Sequence, residues 1–440
     1  MNKSSVRSII GCFGAAVLLT GTLTGCAGVS DVFYTLLTDQ SETYSYEEQQ
    51  FEEHEEVTAP DELSASSGDG KSEVGEGSVP AHEQEAVDRF GFPVTPAEDL
   101  SGFAYDQLDE DTKSAYSYLC AGIKEKKSSF PIRAKNTEAI KKAISAILID
   151  HPEFFWLDGS AEMTGFETVG IWKVTLGFNV GEEEIDGISG TIEEKAEEYL
   201  ATLSEEDGEY EKVRKAYEYI ILNTDYLRES PQNQNIQSVF VNGYSVCAGY
   251  ARAMKYLLDR AGVWCAYVEG TIADTGEGHA WNLVRIDGIY TYVDPSWGDP
   301  TYGEDDTDSG RLNIIYDYLC LTTHEMDRAR HIPESTYTLP ECTDRSYDWY
   351  ALNGFYYDSY DPDALSSALW HAVDENESLV YFKFADFETY AQAMAALFPE
   401  SGEGSLLEAP LQQRMEWDGT GSMQYFYSYS DELMIIKLYW

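Results

Sequence analysis

The segment Gly278 to Asp294, GHAWNLVRIDGIYTYVD, constrains this chain more than any other. Asp287-Gly288 lies between two apolar, β-prone runs, and Asp-Gly supplies the positive φ values that a two-residue hairpin turn needs. Such a turn fixes the register. Ile286 falls opposite Ile289, Leu283 opposite Tyr292 and Trp281 opposite Asp294. Side chains two residues apart share a face of a strand, so His279 points the same way as Trp281. His279 and Asp294 are then expected as diagonal neighbours, roughly 7–8 Å apart or less at Cβ. A slip of one residue would send them to opposite faces.

Upstream, Asn242-Gly243 marks a turn and Cys247 opens a helix. Ala251, Met254, Leu257, Leu258 and Ala261 recur at helical spacing, and Gly262 stops the run. A thiol in the first helical turn meets the positive end of the macrodipole, which favours the nucleophilic thiolate. Taken singly, each of these residues has a plain structural reading: a buried small hydrophobe, a strand histidine, an Asp-Pro strand end. Together, a helix-start Cys, a hairpin His and a partner Asp form a set for acyl transfer. The thiolate attacks a carbonyl, the imidazole moves the proton, and the carboxylate orients the imidazole.

The blocks Val246-Cys247-Ala248-Gly249-Tyr250-Ala251, Gly278-His279-Ala280-Trp281-Asn282 and Val293-Asp294-Pro295-Ser296-Trp297 resemble, in order and spacing, the bacterial transglutaminase-like superfamily. The resemblance spans about 195–330. It implies an α+β fold with a papain-like core, in which the helix carrying the Cys packs on an antiparallel sheet. By that likeness Cys247 is the nucleophile, His279 the base and Asp294 the orienting acid. Family enzymes often add an aromatic oxyanion donor upstream of the Cys. Tyr226 is the candidate here, and is otherwise a core tyrosine at a helix end. Trp281 and Trp297 are expected to wall the cleft unless they simply pack. The Asp150 to Trp156 run and the Tyr-rich C-terminal end also resemble extracellular bacterial members. Members of the superfamily include cross-linking enzymes, proteases, amidases and inactive relatives. The likeness implies neither cofactor nor metal.

The chain begins like an address. Lys3 and Arg7 precede a short apolar run, Ile9 to Leu19, too short to span a bilayer. Leu23-Thr24-Gly25-Cys26 resembles the bacterial lipobox, which implies cleavage before Cys26 and lipidation of its thiol. Residues 27–88 carry 17 acids against Lys71 alone, a composition that cannot bury enough apolar surface to order itself. The expected organisation is a lipoprotein signal peptide at 1–25, an acidic tether at 26–95, an N-terminal α/β segment at 96–190, the catalytic core at 191–335 and a Tyr-rich α+β segment at 336–440.

Charge narrows the partners. The full chain holds 79 Asp and Glu against 29 Lys and Arg, a net charge of −50 over 440 residues. Nucleic-acid binding needs a basic footprint and is excluded. Membrane contact is expected only through lipid on Cys26, at the outer face of the cell membrane. The expected partner is a protein or peptide substrate, with cell-wall peptide as one alternative and a catalytically inactive binding module as another. The acidic run Asp299 to Gly310 does not fit a calcium loop, because Tyr316 stands where the closing Glu should be. His324-Glu325 begins like a zinc motif, but Arg328 replaces the second His. Cys120 and Cys265 are expected as free thiols, with a Cys320–Cys342 pairing left open.

Overall fold

The computed structural model describes residues 17–20, 51–53, 81–300, 313–400, 404–418 and 422–440. The proposed lipidation site Cys26, most of the leader and tether, and most of the acidic loop after Asp299 lie outside the described residues. The fold is α+β. No helix among the described residues is long and apolar enough to cross a membrane.

The chain divides into two compact units, residues 45–268 with 335–339, and residues 1–44, 269–334 and 340–440. The first unit starts with helix α1 (Ala81–Phe90), inside the stretch expected to be tether. Helix α2 (Glu110–Lys124) buries Tyr116, Leu119, Cys120 and Ile123, the stripe its spacing predicts. Strand β1 (Ser129–Arg133) follows, then helix α3 (Thr137–Asp150), capped by Asn136, whose Oδ1 accepts from the Ala139 N–H at 2.9 Å. Strands β2 (Leu157–Phe166) and β3 (Ile171–Phe178) complete an antiparallel sheet with β1, and Phe51–Glu53 adds a parallel edge.

Helix α4 runs Glu182–Leu200 and so crosses the expected segment boundary at 190/191. Gly187 and Gly190 depress its local propensity, but Glu182, Glu183 and Glu184 complement its positive end. Helix α5 (Glu209–Asn223) leads to the parallel pair β4 (Asp225–Tyr226) and β5 (Tyr244–Ser245), and helix α6 (Cys247–Ala261) follows at once.

The second unit is built on two sheets. The chain enters it within strand β6 (Cys265–Ile272), and β7 (Gly278–Ile286) and β8 (Ile289–Val293) form the hairpin. Asp287 and Gly288 have φ of 48° and 87°, and Ile286 pairs with Ile289 and Leu283 with Tyr292. Strand β9 (Leu319–Leu321), helix α7 (Thr323–Arg328) and strand β10 (His331–Pro333) close the sheet in the order β9-β8-β7-β6-β10. The second sheet holds β11 (Tyr356–Tyr357), β12 (Leu379–Phe384), β13 (Ser422–Ser430) and β14 (Ile435–Tyr439), with Val17–Thr20 at its edge. Helices α8 (Pro362–Asp374), α9 (Phe387–Leu397) and α10 (Glu408–Asp418) accompany it.

These boundaries differ from the expected segments, which break at 190/191 and 335/336. Buried charge explains why the hairpin sheet goes with the C-terminal sheet. Lys383 on β12 pairs with Glu325 of α7 at 2.9 Å and with Asp348, and Lys437 on β14 pairs with Asp317 at 2.8 Å. Burial would lower the basicity of Lys383, but Asp348 and Glu325 outweigh it and hold the ammonium charged. Removing one member of such a set leaves an uncompensated buried charge, at about 3–5 kcal/mol.

Candidate functional site

Cys247 is the first residue of α6, after an extended Val246 that offers no side-chain cap. It is partly accessible, whereas Cys120, Cys265, Cys320 and Cys342 are buried, and all five thiols are free. The open Cys320–Cys342 pairing is therefore not formed. Burial pushes the Cys342 thiol up to about 12 and raises Cys120 and Cys320 further. Those three are poor nucleophiles at neutral pH.

The loop before Cys247 is stitched to the helix. Ser238 Oγ and Ser245 Oγ lie 2.6 Å apart, so one hydroxyl donates to the other, and the Asn235 and Asn233 carbonyls, at 2.7 and 3.1 Å, are the acceptors facing the remaining proton. Gly249 sits against this bridge: a Cβ there would run into both serine hydroxyls. The buried Tyr250 donates to the Thr224 carbonyl at 2.9 Å. Tyr226, the oxyanion candidate, pairs through its backbone with Ser245, two residues before Cys247. Its half-buried ring lies 6.2 Å from that of Tyr250. Sheet pairing thus brings a residue 21 positions upstream beside the start of α6.

In the second unit, His279 and Asp294 meet. The ladder ends at the Asn282–Val293 pair, so Trp281 and Asp294 are not ladder partners as the register suggests. Asp294 instead leaves the hairpin, and its N–H donates to the Tyr318 carbonyl at 3.0 Å. That exit swings its carboxylate to the His279 Nε2, 2.6 Å from Oδ2, a charge-assisted distance. Oδ1 accepts from Ser296 N–H at 3.0 Å, Ser296 Oγ at 2.7 Å and Trp297 N–H at 3.1 Å. The Asp-Pro-Ser-Trp turn therefore locks the carboxylate with its own backbone.

A second imidazole, missed by the sequence reading, approaches the same oxygen. His331 Nε2 lies 3.0 Å from Asp294 Oδ2. Both His331 and Asp294 are fully buried, and His279 nearly so. Burial alone would raise the Asp294 pKa, but His279 and His331 outweigh it and hold the carboxyl well below the usual range. The three ligand-type atoms lie within 4.8 Å of one another, close enough to suggest a cation site. The 2.6 and 3.0 Å separations are those of direct hydrogen bonds, and we assign the cluster as a hydrogen-bonded relay.

Aromatic rings surround it. Trp297 is half-buried, with ring centroids 5.5 Å from His279 and 4.4 Å from His331. Trp281, expected to wall a cleft, is fully buried and backs both imidazoles at 5.8 and 5.1 Å. Gly270 makes this possible, because a Cβ there would strike the Trp281 ring and the Ile332 carbonyl of β10. His324-Glu325 serves structure: the Thr322–Glu325 capping box starts α7.

Residues 197–295 match the core model of the Transglutaminase-like superfamily. Kyphoscoliosis peptidase of Mus musculus is 28% identical over 137 residues, covering 28% of this chain and 20% of that protein. This chain therefore spans about a fifth of the length of that curated relative. Among solved structures, a TGase is similar at 15% identity, covering 35% of this chain and 48% of that one, with a TM-score of 0.24. The periplasmic domain of TgpA from Pseudomonas aeruginosa, bound to ethylmercury, is similar at 17% identity, covering 29% and 55%, with a TM-score of 0.16.

Proposed function

Residues 197–295 belong to the transglutaminase-like superfamily, and from that premise we propose that the chain is a cysteine-dependent acyl-transfer enzyme acting on Gln side chains or peptide bonds. The 2.6 Å bond between His279 Nε2 and the buried Asp294 carboxylate carries this reading. Nε2 is turned to the carboxylate, so Nδ1 is the nitrogen assigned to move the substrate's proton. The Cys247 thiolate attacks the acyl carbon, a C–S bond forms, and ammonia or an amine leaves with a proton from the His279 imidazolium. Water or a primary amine then attacks the thioester, His279 takes its proton, and the thiolate departs. First-turn N–H groups of α6 and the Tyr226 hydroxyl are the proposed oxyanion donors. We place the enzyme at the outer face of the cell membrane, held through lipid on Cys26, because the leader ends in a lipobox-like Leu-Thr-Gly-Cys.

The test is incubation of the mature protein with a Gln-containing peptide library, with and without a primary amine, read by mass. The expected result is deamidated, amine-linked or cleaved peptide, lost in Cys247→Ala. Unchanged peptides, or products that persist in Cys247→Ala, contradict the proposal.

A further inference from the structure

The relay contains one more titratable group than the proposed reaction uses. Asp294 Oδ2 faces two imidazole nitrogens, at 2.6 and 3.0 Å. An ionised carboxylate only accepts hydrogen bonds, so each nitrogen turned to it must carry a proton. A lone pair on His331 Nε2 would oppose the oxygen in a dry interior, where mispaired polar groups are most costly. The other nitrogen of His331, Nδ1, lies 3.1 Å from the Ala329 carbonyl oxygen, a second and uncharged acceptor. The ring is also caged edge-on by Trp281 and Trp297 at 5.1 and 4.4 Å.

We propose that His331 is a positioning residue that donates Nε2–H to Asp294 Oδ2, sharing the carboxylate with His279 and so moderating the basicity of His279. The inference rests on the roles given above to His279 and Asp294. Its physical basis is competition. Charge drawn toward His331 is charge that no longer stabilises the His279 imidazolium, so a second donor makes His279 readier to release its proton. The groups facing His331 are Asp294 and His279, the Ala329 carbonyl and the Tyr318 phenol. Burial keeps that phenol protonated far above neutrality, so it adds no charge. Burial also pulls the basicity of His331 below its ordinary value, against the attraction of Asp294. A neutral ring has one proton for two acceptors, and the ionised Asp294 carboxylate is the stronger of them, so the proton sits on Nε2 at pH 7 and the Ala329 carbonyl takes a hydrogen bond from Nδ1 only when a second proton binds at lower pH.

The experiment is ¹⁵N NMR of the full chain labelled at its seven histidines. The His331 resonances are assigned by comparison with His331→Gln. In the unmodified chain at pH 7, His331 Nε2 is expected to show the shift of a protonated ring nitrogen. An unprotonated Nε2 overturns the proposal, whatever any variant does. His331→Phe removes the donor and is expected to raise the His279 titration midpoint by about one unit, a tenfold change in its ionisation. His331→Gln, which restores an N–H donor, should return it close to the original value. An unchanged midpoint in His331→Phe overturns the proposal as well. Cys247→Ala should leave all these shifts in place, so a failure of the enzymatic reading and a failure of this one are told apart.

Discussion

The surroundings of Cys247 and those of Asp294 solve opposite problems. Cys247 stands partly accessible at a helix start, and its neighbours are small: Ala248, Gly249 and two serine hydroxyls. Asp294 is fully enclosed, with both oxygens committed to five donors from β7, β10 and its own turn. In the proposed reaction the nucleophile must be reached, and the Cys247 loop is held by backbone pairing and short side chains. In the same proposal the orienting acid must stay charged without water, and the Asp294 carboxylate is satisfied by protein donors. Each is therefore vulnerable in its own way, the first to added volume and the second to a lost hydrogen bond.

Substitutions can break this contrast. The largest effect is expected at Asp294. Asp294→Asn keeps the volume but turns an N–H toward groups that already donate. Turnover should fall about 10⁴-fold, the size seen when the orienting acid of a Ser-His-Asp triad becomes an amide. Asp294→Ala strands the donors as well and should cost about 3–5 kcal/mol of stability by denaturant melting. Loss of activity without loss of stability in Asp294→Ala would argue against the enclosed network. A smaller effect is expected at Gly249. Gly249→Ala forces the Ser238–Ser245 bridge apart, at about 1–3 kcal/mol for an overpacked site. Gly187→Ala in α4, where a Cβ meets nothing, should stabilise by about 0.5–1 kcal/mol. Equal effects at the two glycines would remove the packing argument for the Cys247 loop.

Much of this was legible in the sequence because it is local. The Asp287-Gly288 turn dictates its own register, Asn136 caps its own helix, and Cys247 follows a turn and opens an amphipathic run. What stayed hidden depends on distant pairing. His331 reaches Asp294 across 37 positions, in a three-residue strand with no motif around it. Its only signal was a histidine just beyond the Thr322–Glu325 cap, in a chain with seven. Trp281 reads as a cleft residue by its neighbourhood, yet Gly270 lets β10 cover it. The boundary between units was illegible for a similar reason. Lys383 and Lys437 sit on strands remote in sequence from Glu325 and Asp317, and composition carries no trace of their pairing.

We propose that Cys247 alone among the described cysteines is an activated thiol and that His279 activates it. Dilute iodoacetamide at pH 7, followed by peptide mass mapping over time, measures this directly. Labelling of Cys247 is expected well ahead of Cys342, whose thiol is held up to about 12 by burial. In His279→Ala, Cys247 labelling is expected to slow by about tenfold or more, through loss of the thiolate. Labelling of Cys247 no faster than Cys342, or at an unchanged rate in His279→Ala, would contradict the proposal.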